Sequence, residues 1–114
     1  MSINIKRIYE PAAKTDGYRI LVDRLWPRGI KKEAIDIWLK DVAPSTPLRK
    51  WFNHEPEKWE QFRQKYHAEL NASPVLKELK AIIHKHPTIT LLFAAVDRGH
   101  NHALALQQFI NELL

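Results

Sequence analysis

Apolar residues alternate, run together or recur at helical spacing in different parts of this chain, and each change of period marks an element. Ile3, Ile5 and Ile8 give a short β-like segment over residues 3–9 whose alternation breaks at Arg7. A loop follows over residues 11–17, with Asp16-Gly17 as its turn signal. Residues 18–23 read as a second strand in which Ile20-Leu21-Val22 is apolar on both faces. The connection is shorter than the dozen or so residues a parallel crossover normally needs, so these two strands, if directly paired, should be antiparallel. Residues 35–42 fit two periods at once. Ile35, Trp38, Leu39 and Val42 match a helix, while Ile35, Ile37 and Leu39 match a strand, and pattern does not decide between them.

Helical spacing dominates the second half. Ser45 or Thr46 can cap a short helix through Trp51 and Phe52. Pro56 opens an amphipathic helix carrying Trp59, Phe62, Tyr66 and Leu70. Asn71-Ala72-Ser73-Pro74 stops it and starts another, with Ser73 as N-cap and Leu76, Leu79, Ile82 and Ile83 on one face. His86-Pro87 ends that helix, because the residue before proline is pushed out of the α region. Residues 88–96 then form a near-continuous apolar run with the character of a central strand covered on both faces. Asn101 caps a last helix with Leu104, Leu106, Phe109, Ile110 and Leu113. The expected fold is α/β: one small domain over residues 1–114, with about four mainly parallel strands flanked by four helices.

Composition narrows the chemistry. With 114 residues there is room for one ordinary core, and with no cysteine there are no disulfides, thiolate nucleophiles, Fe–S clusters or cysteine-based zinc sites. No apolar run approaches a membrane span and no apolar signal segment stands near the start, so a soluble, cytoplasmic protein without a membrane partner is expected. The net charge of +5 is concentrated early. Residues 1–32 carry eight Lys/Arg against Glu10, Asp16 and Asp23, whereas the remainder has ten of each sign. This is either a solvated basic face or a field that draws an anion to the loop at Arg24 and Arg28.

Two strand exits resemble one another: Val22-Asp23-Arg24 and Val96-Asp97-Arg98. In open α/β sheets ligands bind beyond the carboxyl ends of the strands, and a helix starting after Asn101 would add backbone N–H groups and the positive end of its dipole. Arg24 and Arg28 are suited to clamp an anion with Trp26 as a stacking face. The structural alternative is that Trp26 packs in the core and Asp23 pairs with an arginine to hold the loop. Asp97 and His102 are candidates for an acid/base pair, with a histidine bonded to nearby backbone as the alternative. His100-x-His102 and His84-x-His86 lack a third ligand at a diagnostic spacing, so no metal site is expected. His54 suits the start of a helix better than a ligand site. Ser2 is terminal, Ser45 and Ser73 sit at caps, and Gly17, Gly29 and Gly99 are isolated, which argues against a serine nucleophile and a phosphate-cradling glycine loop. Glu55, Glu57 and Glu60 cluster at a helix start, where they favour the dipole rather than a glycosidase pair.

The ordered set Asp23-Arg24-Leu25-Trp26-Pro27-Arg28-Gly29, Trp38-Leu39-Lys40-Asp41-Val42-Ala43-Pro44-Ser45, Leu48-Arg49-Lys50-Trp51-Phe52 with His54, then Trp59, Phe62, Tyr66 and Asn101-His102-Ala103 resembles the YeaO-like branch of a bacterial family known as a domain of unknown function. The resemblance runs along essentially the whole chain and implies no activity. In the wider family a Cys-His-Arg signature typically follows the last strand. Here only His102 carries over, so a mechanism using the cysteine or arginine is not supported. The resemblance also implies an extended segment over residues 35–40, which would bring Lys40 and Ser45 toward the cleft.

Two functional readings follow. One is a small enzyme or ligand-binding domain for an anionic, phosphate- or carboxylate-bearing small molecule, with Asp23, Asp97 and His102 as its chemical groups and Arg24, Trp26, Arg28, Lys40, Ser45 and Asn101 as binding groups. The other, less favoured, is a nucleic-acid-binding module that uses the basic N-terminal third and Arg49-Lys50-Trp51-Phe52. Neither reading implies a cofactor, and neither fixes the oligomeric state. A pure interaction module is a third reading, favoured if the four tryptophans are exposed.

Overall fold

A computed structural model describes residues 2–114. Four strands, β1 (Ser2–Arg7), β2 (Tyr18–Leu21), β3 (Ile37–Trp38) and β4 (Thr88–Phe93), form one sheet in the order β1-β4-β2-β3, with every pairing parallel. Four helices accompany it: α1 (Thr46–Phe52), α2 (Trp59–Ala72), α3 (Val75–Lys85) and α4 (His102–Leu113). The four-stranded α/β expectation therefore holds. The conditional antiparallel pair does not arise, because β4 inserts between β1 and β2. Ten residues, spanning at most ~33 Å when extended, suffice to carry the chain from the end of β1 back to the start of β2 past that inserted strand.

The period of each segment explains its place. On β4, Ile89, Leu91 and Phe93 join the large core with Ile3 and Ile20 and with the apolar stripes of the helices, including Phe62, Tyr66 and Leu70 of α2 and Leu79 and Ile83 of α3. Leu92 turns to the opposite face, where Leu21 and Ile8 form a smaller cluster covered by Ile30 and Ile35. All the helices thus pack into the core of one face, and loops close the other. Ser45 caps α1 by accepting the Leu48 N–H, and Asn101 caps α4 by accepting the Leu104 N–H at 2.8 Å. No helix among the described residues is long and apolar enough to cross a membrane.

The strands are shorter than the apolar runs because side chains take over from the ladder. The Ala94 N–H donates to the Asp23 carboxylate at 2.9 Å, and the Ala94 and Ala95 carbonyls accept from the Arg7 guanidinium. Residues 35–42 resolve into a two-residue edge strand followed by a 3-10 turn at Lys40–Val42, with Asp36 exchanging bonds with Arg19 and the Leu39 N–H donating to Leu21.

On the loop-covered face Asp16, with 6% of its surface exposed, accepts from Lys6, from the Ala13 N–H and from Arg19, whose Nε donates to the Ala34 carbonyl. Burial raises the Asp16 carboxyl, but these donors outweigh it and hold the group below the usual carboxylate range. A lowered folded value means that stability is fully present above the unfolded value near pH 4 and is lost as pH falls through the folded one. Denaturation series across pH 2–6 should therefore show Asp16→Asn to be less stable than wild type by about 3 kcal/mol at pH 6, with the gap narrowing toward pH 2. A constant gap would contradict this account.

Gly17 enters β2 at φ 67° and ψ −136°, and a Cβ there would stand 2.3 Å from the Thr88 carbonyl oxygen. Gly29, at φ 79°, has nothing within 4 Å of its Cβ position. Urea denaturation should show Gly17→Ala costing about 3 kcal/mol and Gly29→Ala only about 1.

Candidate functional site

A cleft of about 540 Å³ opens at the carboxyl ends of β2 and β4. Asp23 lies in its lining. One carboxylate oxygen accepts the Ala94 N–H, and the other lies 3.0 Å from His102 Nε2, which is also 3.1 Å from the Val22 carbonyl. The Asp23 backbone carbonyl accepts the Trp38 indole N–H at 2.7 Å. A single residue thus joins the exits of β2 and β4, the edge strand and the first turn of α4.

Arg24 stands beside it with Nη2 donating to the Ala43 and Pro44 carbonyls and a buried Nε that has no partner among the described residues. Arg28 reaches the cleft from the Pro27-Gly29 turn, where its carbonyl accepts the Tyr9 hydroxyl. Arg49, Lys50, Asn53 and His54 enter from α1 and the residues after it. That helix is held against α2 by Phe52 and Phe62, stacked with ring centres 4.3 Å apart. Asn53 and His54 both have left-handed backbone, at φ 47° and 55°, which turns the chain sharply at the end of α1.

Of the residues expected at a site, the fold gathers Asp23, Arg24, Trp26, Arg28, Asn101 and His102 around this cleft. It does not bring Asp97, Lys40 or Ser45 to the lining. Asp97 folds onto its own loop: its carboxylate accepts the Gly99 and His100 N–H groups and contacts the His100 ring, and the Gly99 bond leads in holding it below the usual carboxylate range. The carboxylate beside His102 is that of Asp23. Lys40 Nζ lies over the Trp38 ring at 5.6 Å, and the Ser45 amide and hydroxyl donate to Glu69.

Residues 2–114 match the family described as the inactive DUF488-N3 subclade. The chain belongs to that subclade. It is 48% identical over 115 residues to the uncharacterised protein YeaO of Escherichia coli, covering 99% of this chain and 100% of that protein. It is 40% identical over 111 residues to uncharacterised proteins of Mycobacterium bovis and Mycobacterium tuberculosis, covering 96% of this chain and 93% of theirs. No solved structure matches the chain.

This DUF488-N3 cleft also contains residues that its sequence did not single out as a site. Arg49, Lys50 and His54 were legible through the family resemblance, the first two also as part of an aromatic-basic stretch and His54 as a start-of-helix residue, and Tyr9 not at all, since a place in the cleft depends on how α1 and the β1 exit fold against the sheet. Among the described residues, the side chains of Arg28, Arg49 and Lys50 form no hydrogen bond or ion pair within the chain, and Asp23 is the only carboxylate in the lining. Three histidines, His54, His100 and His102, add nitrogen donors or acceptors to the same space.

Both neighbours of His102 Nε2 are acceptors, which fixes the neutral ring as the tautomer with its proton on Nε2. Long-range proton–nitrogen NMR correlations on the neutral protein should show that form for His102, and substitution Asp23→Ala should perturb it. A ring protonated on Nδ1 alone would contradict this geometry.

Proposed function

We propose that this protein is a ligand-binding domain whose cleft takes an anionic small molecule carrying a phosphate or carboxylate group. The observation that carries the reading is the imbalance of charge in the lining. Arg24, Arg28, Arg49 and Lys50 face a cleft whose single carboxylate, Asp23, is already engaged by the Ala94 N–H and lies beside His102. Arginine forks suit phosphate and carboxylate oxygens, and cations without internal partners need not break a bond to bind them. The first turn of α4 adds the positive end of a 12-residue helix on the same side.

Binding without turnover fits the chain better than catalysis. Its family is described as inactive, and Asn101-His102-Ala103 supplies no cysteine or arginine where the wider family has them. A nucleic-acid surface is less well supported, because three cations of the basic N-terminal third are used internally. Lys6 and Arg19 bond Asp16, and Arg7 bonds the Ala94 and Ala95 carbonyls.

Thermal unfolding with phosphate, pyrophosphate and citrate tests the reading. At a hundred times its dissociation constant a bound anion contributes about 2.7 kcal/mol, or roughly 10 °C for a domain of this size. The double variant Arg28→Ala/Arg49→Ala should lose that rise while remaining folded, since neither side chain has a partner to lose. An equal rise in the double variant would reject the cleft as the anion site.

A further inference from the structure

We infer that the anion taken by this cleft carries a flat ring, and that the ligand class is a nucleoside monophosphate. The inference rests on the anion-binding reading above and adds the second half of the ligand.

Trp26 lines the cleft with 37% of its surface exposed, an unusual position for an indole that has been made rigid. Its N–H is used by the Ile30 carbonyl at 2.8 Å, and its ring meets Trp38 edge to face with centres 5.3 Å apart. Trp38 is fixed in turn by its own N–H bond to the Asp23 carbonyl. With its polar atom used, the exposed part of Trp26 offers only an apolar π surface. That surface is already ordered, so stacking a ring on it costs little side-chain entropy.

Tyr9 has the same character. It is 48% exposed at the cleft, yet its hydroxyl bonds the Arg28 carbonyl and the Arg7 guanidinium lies 5.4 Å from its ring centre. The Tyr9 bond also fixes the backbone of an anion-binding arginine, so the ring surface and the charge are set relative to one another. Asn53 offers an amide with no side-chain partner among the described residues, a group able to read a base edge. The space of about 540 Å³ lies within the range of pockets that enclose small molecules. An anion alone would use the arginines and leave the exposed ring faces of Trp26 and Tyr9 uncovered; a ring joined to a phosphate uses both the charge and a ring face.

Calorimetric titration of the wild-type chain with AMP, GMP, CMP, UMP, ribose 5-phosphate and pyrophosphate separates the two levels of the argument. The expected result is that at least one nucleotide binds about tenfold or more tighter than ribose 5-phosphate. That ratio should fall toward one in Trp26→Leu and recover in Trp26→Phe, which keeps a ring but no N–H. Tyr9→Leu supplies an independent variant should Trp26→Leu fail to fold. Equal binding of ribose 5-phosphate and every nucleotide, or a ratio untouched by both leucine variants, overturns the ring assignment and leaves the anion site standing. Failure of every compound, pyrophosphate included, overturns both.

Discussion

The Asp23 carboxylate is the interaction on which the sheet's working end depends. Where β2 and β4 stop pairing, the two exits need another tie, and Asp23 supplies it by accepting the Ala94 N–H across a sequence separation of 71 residues. Its second oxygen faces His102 at the start of α4, and its backbone carbonyl holds Trp38 on the edge strand. Arg7 completes the set by donating to the Ala94 and Ala95 carbonyls from the end of β1. Backbone groups that a longer ladder would satisfy are satisfied by side chains here, and this keeps the strand ends open enough for a cleft. Two buried polar atoms at the same place have no hydrogen-bond partner among the described residues, the Arg24 Nε and the Asp23 oxygen that faces His102, a cost that the apolar core is large enough to absorb.

That core lies on one face of the sheet. Phe62, Tyr66, Leu70, Leu79, Ile83, Leu106, Phe109 and Ile110 pack over Ile20, Ile89, Leu91 and Phe93, and burial of apolar side chains at about 1.5–3 kcal/mol each outweighs any single ion pair in the molecule. The opposite face has only a small apolar cluster, and there a buried ion group does the joining. Asp16 gathers Lys6 from β1 and Arg19 from β2, while its backbone carbonyl accepts the Thr90 hydroxyl from β4. Three neighbouring strands are thereby tied through one turn. Gly17 is required beside it because no side chain fits between that turn and Thr88.

Much of this was legible in the sequence, for local reasons. The three long helices follow from their apolar spacing, the caps at Ser45 and Asn101 from residue type, and β4 from a run too apolar for anything but a covered strand. Strand order was not legible, because a short connection between β1 and β2 suggests neighbours, and only the packing of β4 shows that a third strand lies between them. The extent of β3 was hidden by a segment whose spacing fits two periods. At the site, Asp97 lies close to His102 in sequence, yet its carboxylate turns to the nearer Gly99 and His100 N–H groups, which a short loop can reach at little entropic cost. Asp23, some eighty residues away, reaches His102 because β2 and β4 are adjacent and the loop after β4 brings the start of α4 back to the β2 exit.

The positive field of the cleft is also a product of distant parts, and this bears on its purpose. Arg24 and Arg28 belong to the loop after β2, whereas Arg49 and Lys50 arrive on a seven-residue helix held against α2 by Phe52 on Phe62. Packing those aromatics would be equally good with neutral residues at 49 and 50, and placing like charges on one cleft works against folding. Acidic side chains are plentiful elsewhere in the second half of the chain, and several, such as Glu55 and Glu60, form ion pairs with nearby cations. The cleft lining has Asp23 as its one carboxylate, and no ion pair reaches Arg28, Arg49 or Lys50 among the described residues. An anion bound as proposed would supply, from outside the chain, the counter-charge that Arg28, Arg49 and Lys50 lack among the described residues.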